Sequence, residues 1–150
     1  MNLNEDMVFD ERMLSQLKVH EGFDATMYKD TVDVWTIGYG TNLEVGLTEE
    51  EASVLLEMRL RELIRQLATF KAFNNMAMMT PARVAVLTNM VYNLGVRGLL
   101  KFENMWRAIS IGEFGVAADE MLDSKWAGQV GHRAISLSEQ MRTGKWKALD

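Results

Sequence analysis

Met13, Leu14, Leu17 and Val19 recur at near-helical spacing among polar residues, which predicts a helix over Met7–Glu21, stopped by Gly22. The pattern then changes. From Met27 to Leu43 the chain is rich in strand formers, Tyr28, Val32, Val34, Trp35, Thr36, Ile37 and Tyr39, punctuated by Gly38, Gly40 and Asn42. A small hairpin or meander is expected there, with its turn near Thr31–Asp33. Thr48 followed three residues later by Glu51 is a capping box. It opens a helix expected to reach about Phe70, with Leu55, Leu56, Leu60, Leu63, Ile64 and Leu67 on one face. Thr80-Pro81 is a second start signal. Val84, Leu87, Thr88, Val91 and Leu94 follow at helical spacing up to Gly95, and so few of their neighbours are polar that this helix should lie at the centre of a core. Three further helices are expected over Leu99–Ile109, Glu113–Leu122 and His132–Arg142, with glycine-containing joints at Gly112, Gly128, Gly131 and Gly144. The expected fold class is α+β, mainly helical, with one small sheet near the N-terminus.

Composition narrows the function. At 150 residues, 48% hydrophobic and 25% charged, the chain is long enough for one domain with a real core. With no Cys, disulfides, thiolate zinc sites and a cysteine nucleophile are excluded. Two His, His20 and His132, give little material for a metal site, and no metal or other cofactor is expected. The 12 Met are read as flexible core filler. No apolar run is long enough to span a membrane, and the first residues do not read as a secretory signal. The net charge of -5 speaks against nucleic acid as partner. Charge is uneven: residues 1–75 carry 14 acidic against 7 basic residues, and residues 76–150 carry 7 against 9. Either these are two solvated faces, or a basic half meets an anionic polymer while the acidic half holds carboxylate chemistry.

The informative stretch is His20-Glu21-Gly22, Tyr28-Lys29-Asp30 and Trp35-Thr36-Ile37-Gly38-Tyr39-Gly40. Glu21 sits at a helix end, Asp30 at the start of the predicted turn and Thr36 beyond it. With the turn centred on Asp33, Asp30 and Thr36 would oppose each other and share a face. Two carboxylates facing one space are the apparatus of glycoside hydrolysis. In a chain with 21 acids, an incidental pair is the competing reading.

The pattern E-x8-D-x5-T, closing in Thr36-Ile37-Gly38-Tyr39-Gly40, resembles the signature of the phage-type lysozymes, the muramidases of glycoside hydrolase family 24. The likeness continues through Asn89-Met90-Val91-Tyr92-Asn93-Leu94-Gly95, Lys101-Phe102-Glu103-Asn104, Ser124-Lys125-Trp126 to Gln129, Arg133-Ala134 and Arg142-Thr143-Gly144-Lys145-Trp146, covering about residues 12–147. It implies a lysozyme-like fold. A small β-hairpin lobe over about 22–47 would be joined by a linking helix over about 48–70 to a helical lobe over about 76–150, which also takes in the N-terminal helix. There are departures. Thr41 stands where the family often has His, Asp33 where its turn usually has Gly, and the small lobe is short.

The resemblance implies hydrolysis of the β-1,4 bond between N-acetylmuramic acid and N-acetylglucosamine with inversion. Glu21 would be the general acid, and Asp30 with Thr36 would hold the attacking water. Arg133 would be an ion-pair partner of Glu21, opposing the helix C-terminus, which favours the protonated acid. Tyr92 and Asn93 would line the saccharide cleft. For Tyr92 a core position is the equal alternative. Trp126 and Trp146 are read as core anchors, and Trp35 as either core or platform. The expected partner is bacterial peptidoglycan and the expected state a monomer without stable membrane association. As an endolysin the protein would wait in the host cytoplasm until a separate membrane-permeabilising protein gives it access to the wall. A virion-associated or toxin muramidase and a silent peptidoglycan-binding relative are the other readings.

Overall fold

The computed structural model describes residues 9–70 and 79–147. The chain divides into two compact units, Met1–Val54 and Leu55–Asp150. The first holds α1 (Glu11–Glu21), β1 (Asp24–Lys29), β2 (Trp35–Gly38) and β3 (Thr41–Asn42). Then α2 (Glu49–Leu67) runs through the point of division. The second unit continues with α3 (Pro81–Leu100), α4 (Glu103–Ser110), α5 (Phe114–Leu122), α6 (Lys125–Val130) and α7 (His132–Thr143). The expected α+β, mainly helical class is what the chain adopts.

In the first unit, Asp10 starts α1 by accepting the Arg12 backbone N–H at 2.8 Å, so the helix begins at Glu11. Residue Met7, the expected start, lies outside the described residues. Gly22, at φ 70, ends it as expected. The three strands form an antiparallel sheet in the order β1-β2-β3. Strand β1 begins at Asp24, before the expected Met27, because an irregularity between Asp24 and Tyr28 lets the edge continue past the run of strand formers. Among the described residues of this unit Thr36 alone is buried; the α1 stripe of Met13, Leu14, Leu17 and Val19 stays exposed.

The capping box on α2 is closed in both directions. The Thr48 backbone N–H donates to Glu51 Oε2 at 2.7 Å, and the Glu51 N–H donates to Thr48 Oγ1 at 3.2 Å. The helix stops at Leu67 and not Phe70, where the Phe70 N–H closes a turn on the Leu67 carbonyl. Of its apolar face, Leu67 is fully buried, while Leu55, Leu56 and Ile64 are exposed.

The core of the second unit is built on α3. Thr80 caps it by accepting the Arg83 N–H, with Pro81 in its first turn. Of the predicted stripe, Leu87, Thr88 and Val91 are buried while Val84 and Leu94 are half-buried, and Ala82, Val86 and Met90 are buried beside them. Each large apolar side chain withdrawn this way contributes about 1.5–3 kcal/mol. Gly95 breaks the helix at φ 71, ψ 167, and a short stretch resumes to Leu100. The next helix therefore starts at Glu103 and not Leu99, and the Leu99 carbonyl accepts the Phe102 N–H and the Trp106 indole N–H. Ala117 and Ala118, both fully buried, leave room for α7 to pack closely on α5. Lys125–Val130 forms a separate helix capped by Ser124, so Gly128 is helical and not a joint. Trp126 is a core anchor at 3% exposure. Trp146 is not, at 67%, because Gly144 at φ 68 has already ended α7 and turned the chain outward. Methionine serves both roles: Met79, Met90, Met105, Met121 and Met141 are buried, whereas Met13, Met27 and Met58 are exposed.

Candidate active site

The hairpin turn presents Asp30. Register pairs Tyr28 with Thr36 and Lys29 with Trp35, and the Asp30 N–H donates to the Val34 carbonyl at 3.0 Å. The turn is therefore centred on Val32 and not Asp33. Thr36 opposes Tyr28, with Asp30 on its diagonal. The direct pairing expected of Asp30 and Thr36 therefore does not form. The shift arises because Asp30 folds the turn around its own side chain: Oδ1 accepts the N–H groups of Val32 at 2.9 Å and Val34 at 2.8 Å. The second carboxylate oxygen, Oδ2, is left out of this lattice.

Thr36 is tied to the same residue. Its hydroxyl donates to the Val34 carbonyl at 3.0 Å. The N–H of Val34 thus holds Asp30 while its C=O holds Thr36. With its proton committed, the hydroxyl oxygen faces any further ligand as an acceptor.

Glu21 closes α1 in the same unit, and its carboxyl lies against Gly40. A Cβ on Gly40 would stand 2.5 Å from Glu21 Oε2 and 3.0 Å from Cδ. The glycine has φ 75, a left-handed conformation that other residues rarely take. The glycines of Thr36-Ile37-Gly38-Tyr39-Gly40 are thus of two kinds: Gly38, at φ 68, has nothing within 4 Å of a built Cβ. The sequence pattern marks both as punctuation of the strand and does not distinguish Gly40, which makes room for the Glu21 carboxyl. Nearby, Tyr39 packs on Phe23 at 5.3 Å between ring centroids, with Lys18 above it. Trp35 is part-exposed under Lys29.

The remaining predicted residues belong to the second unit. Tyr92 is 54% exposed, which removes the core reading for it. Asn93 Oδ1 accepts the Trp126 indole N–H at 3.1 Å, leaving its amide N–H groups as donors. Trp126 also walls a cavity of about 540 Å³ whose lining includes Lys101, Phe102, Glu103, Glu120 and Lys125. Arg133 reaches back from α7 to α3, where its Nε donates to Asn89 Oδ1 at 2.8 Å and Nη2 donates to the same oxygen. His20 and His132 are exposed. No group of three metal-ligating side chains occurs among the described residues. No helix among them is long and apolar enough to cross a membrane.

"Probable T4-type lysozyme 1" of Dictyostelium discoideum is 27% identical, over 88% of this chain and 94% of its own length. The model of the family described as Phage lysozyme matches residues 18–142, a span that takes in Glu21, Asp30, Thr36, Tyr92, Asn93 and Arg133, and the chain belongs to that family.

Proposed function

We propose that this lysozyme-family hydrolase is an inverting muramidase that cleaves the β-1,4 bond between N-acetylmuramic acid and N-acetylglucosamine in bacterial peptidoglycan. The observation that carries the reading is the shared anchorage of Asp30 and Thr36 on Val34. An attacking water must be held by both hydrogens so that its lone pair faces the anomeric carbon. Asp30 Oδ2 and Thr36 Oγ1 are two acceptors carried by one hairpin and anchored on one residue, suited to that task. Glu21 is the general acid that protonates the leaving oxygen. The mechanism is inverting because Asp30 orients the water and accepts the proton it loses on attack, forming no bond to the sugar.

Tyr92 and Asn93 contribute to saccharide binding: the exposed ring lies flat on a sugar and the Asn93 amide donates to an N-acetyl carbonyl. For Arg133 the supporting role toward the catalytic acid is only what the family resemblance implies; its guanidinium donates to Asn89. The biological role is host cell lysis by an endolysin that acts as a monomer. It works on the wall once a separate membrane-permeabilising protein has released it from the host cytoplasm.

Proton NMR of early hydrolysis products tests the chemistry. The new reducing end should appear first as the α-anomer. A β-anomer would mean retention, and a 1,6-anhydro end without a new reducing end would mean transglycosylation. Glu21→Gln keeps the side-chain shape and removes the proton, so lysis of outer-membrane-stripped cells should fall by about 10²–10⁴. Expression in a host with and without a membrane-permeabilising protein tests the biological role: lysis should require both.

A further inference from the structure

Lys29 precedes Asp30 and takes no part in the proposed chemistry, yet its ammonium has three contacts that all fall on the turn and its flank. Nζ donates to the Asp33 carbonyl oxygen at 2.9 Å and lies 3.4 Å from Asp33 Oδ1. It also sits 4.8 Å from the centre of the Trp35 ring. Asp33 is the one non-glycine residue with positive φ, 63°, among the described residues. A side chain in that conformation persists only where its surroundings hold it.

The Asp33 carbonyl and the Val34 N–H are the two ends of one peptide group. That group is planar and turns as a unit. Its N–H end holds Asp30 Oδ1 at 2.8 Å, and its C=O end is held by Lys29. A flip of this peptide would withdraw the N–H from Asp30 and present a carbonyl to the carboxylate instead. A cation on the carbonyl opposes the flip and polarises the peptide so that its N–H becomes a stronger donor.

We propose that Lys29 is a positioning residue for Asp30: by gripping the Asp33–Val34 peptide it fixes the carboxylate that holds the nucleophilic water. This inference rests on the proposed role of Asp30, and Trp35 serves in it as the shelf that keeps the lysine in place.

Lys29→Met retains the stem over Trp35 and removes every donor. Its kcat on purified peptidoglycan should fall about 10-fold, a loss in keeping with a displacement below 1 Å of a reacting group. KM should stay within about twofold, since the turn is asked to hold water and not sugar. Lys29→Arg, which again offers N–H groups to the carbonyl, should recover most of the rate. Hydrogen exchange gives a reading independent of activity: the Val34 amide should exchange at least about tenfold faster in Lys29→Met, with amides of α3 unchanged. A wild-type kcat in Lys29→Met, an unchanged Val34 amide, or a loss that Lys29→Arg fails to recover would each overturn the proposal. Lys29→Gln provides a second uncharged variant if the methionine form is poorly soluble. Asp30→Asn is assayed in parallel. If that variant stays active, the reading of Asp30 is wrong, whereas the Val34 exchange result still reports whether Lys29 holds the peptide.

Discussion

The carboxyl of Glu21 rests against the α-carbon of Gly40, where any side chain would meet Oε2 at 2.5 Å. Gly38, two residues earlier, has the same left-handed backbone with open space around it. The pair therefore separates strain from crowding. Ala at either position costs about 1–2 kcal/mol of stability from the backbone alone. Only Gly40→Ala also displaces the acid, and because the end of a glutamate yields easily the displacement shows in rate more than in stability. Gly40→Ala should lower turnover about 10²-fold. Gly38→Ala should melt at a similar temperature and keep turnover within a few-fold. Equal activities in the two variants would mean that Gly40 serves backbone conformation alone.

Asp30 and Thr36 share Val34, so their substitutions should not act independently. Thr36→Val removes the hydroxyl at nearly constant shape, and Asp30→Asn removes the charge while keeping an oxygen for the two turn N–H groups. If both serve one water, the double variant should be little slower than Asp30→Asn alone, since groups acting as a unit are non-additive. Steady-state turnover of the four proteins checks this, and fully multiplicative losses would separate the two roles.

Arg83 ties the ends of α3 and α7 together. Its Nε and Nη2 donate to the carbonyls of Met141 and Arg142 at 2.8 and 3.0 Å, and its guanidinium stacks 3.6 Å from the Phe114 ring centre. Thr80 Oγ1 donates to the Gly144 carbonyl beside it. Partial burial lowers the Arg83 pKa from its ordinary value, a shift that still leaves it charged at neutral pH. Arg83→Leu strands two helix-terminal carbonyls and should cost about 2 kcal/mol, lowering the melting temperature by roughly 4–8 °C. Turnover per folded molecule should not change, because none of these groups belongs to the catalytic set.

Two surface carboxylates, the half-buried Asp10 and the exposed Glu62, sit below their usual range. Asp10 is lowered by the Arg12 side chain and then by the Arg12 backbone N–H; Glu62 is lowered by Arg65 and then Gln66. A carboxylate depressed in the folded state adds stability above its unfolded pKa and loses it as pH falls through the folded one. Acid should therefore weaken the Asp10–Arg12 and Glu62–Arg65 pairs at pH values below the ordinary Asp and Glu range of about 3.9–4.3. Carbon-13 titration of the side-chain carboxyls should place both midpoints under those of free Asp and Glu. Arg12→Gln should raise the Asp10 midpoint only part of the way, because the backbone N–H at position 12 still donates to its carboxylate.

Much of this was legible in the sequence where one local rule governs. The capping box at Thr48, the Thr80-Pro81 start and the apolar repeat of α3 each depend on neighbours within a turn or two, and each holds in the structure. What the sequence hid depends on partners whose identity no spacing encodes. The register of the hairpin moved by one position because the Asp30 carboxylate organises the turn, a competition between side chain and backbone that strand propensity does not register. The break of α3 at Gly95 was legible, but the short stretch to Leu100 was not, since that run is as apolar as the helix preceding it. Trp126 and Trp146 look alike in sequence, but Trp126 lies on the buried face of α6, whereas Trp146 follows the end of α7 at Gly144 and stays exposed. Of the candidate site, the hairpin that carries Asp30 and Thr36 was readable, while their shared anchorage on Val34 was not, because backbone groups carry no letter.

Tyr92 decides whether the second unit contributes to saccharide binding. It lies on α3, whose neighbouring Met90 and Val91 are fully or almost fully buried, yet more than half of its own surface is open. A packed aromatic at this place would cost about 3–5 kcal/mol on truncation to Ala. An exposed one should cost within about 0.5 kcal/mol, so Tyr92→Ala should melt close to the parent protein. If the ring lies against a sugar, the same variant should bind peptidoglycan fragments more weakly. A lost aromatic contact worth about 0.5–1.5 kcal/mol corresponds to a rise in KM of roughly 2–10-fold. Tyr92→Phe keeps the flat face and should stay near the parent value, which distinguishes stacking from hydrogen bonding by the phenol. Thermal melts and KM for soluble muropeptide oligomers check both expectations. An unchanged KM in Tyr92→Ala would remove the residue from the cleft, and a large fall in melting temperature would return it to the core.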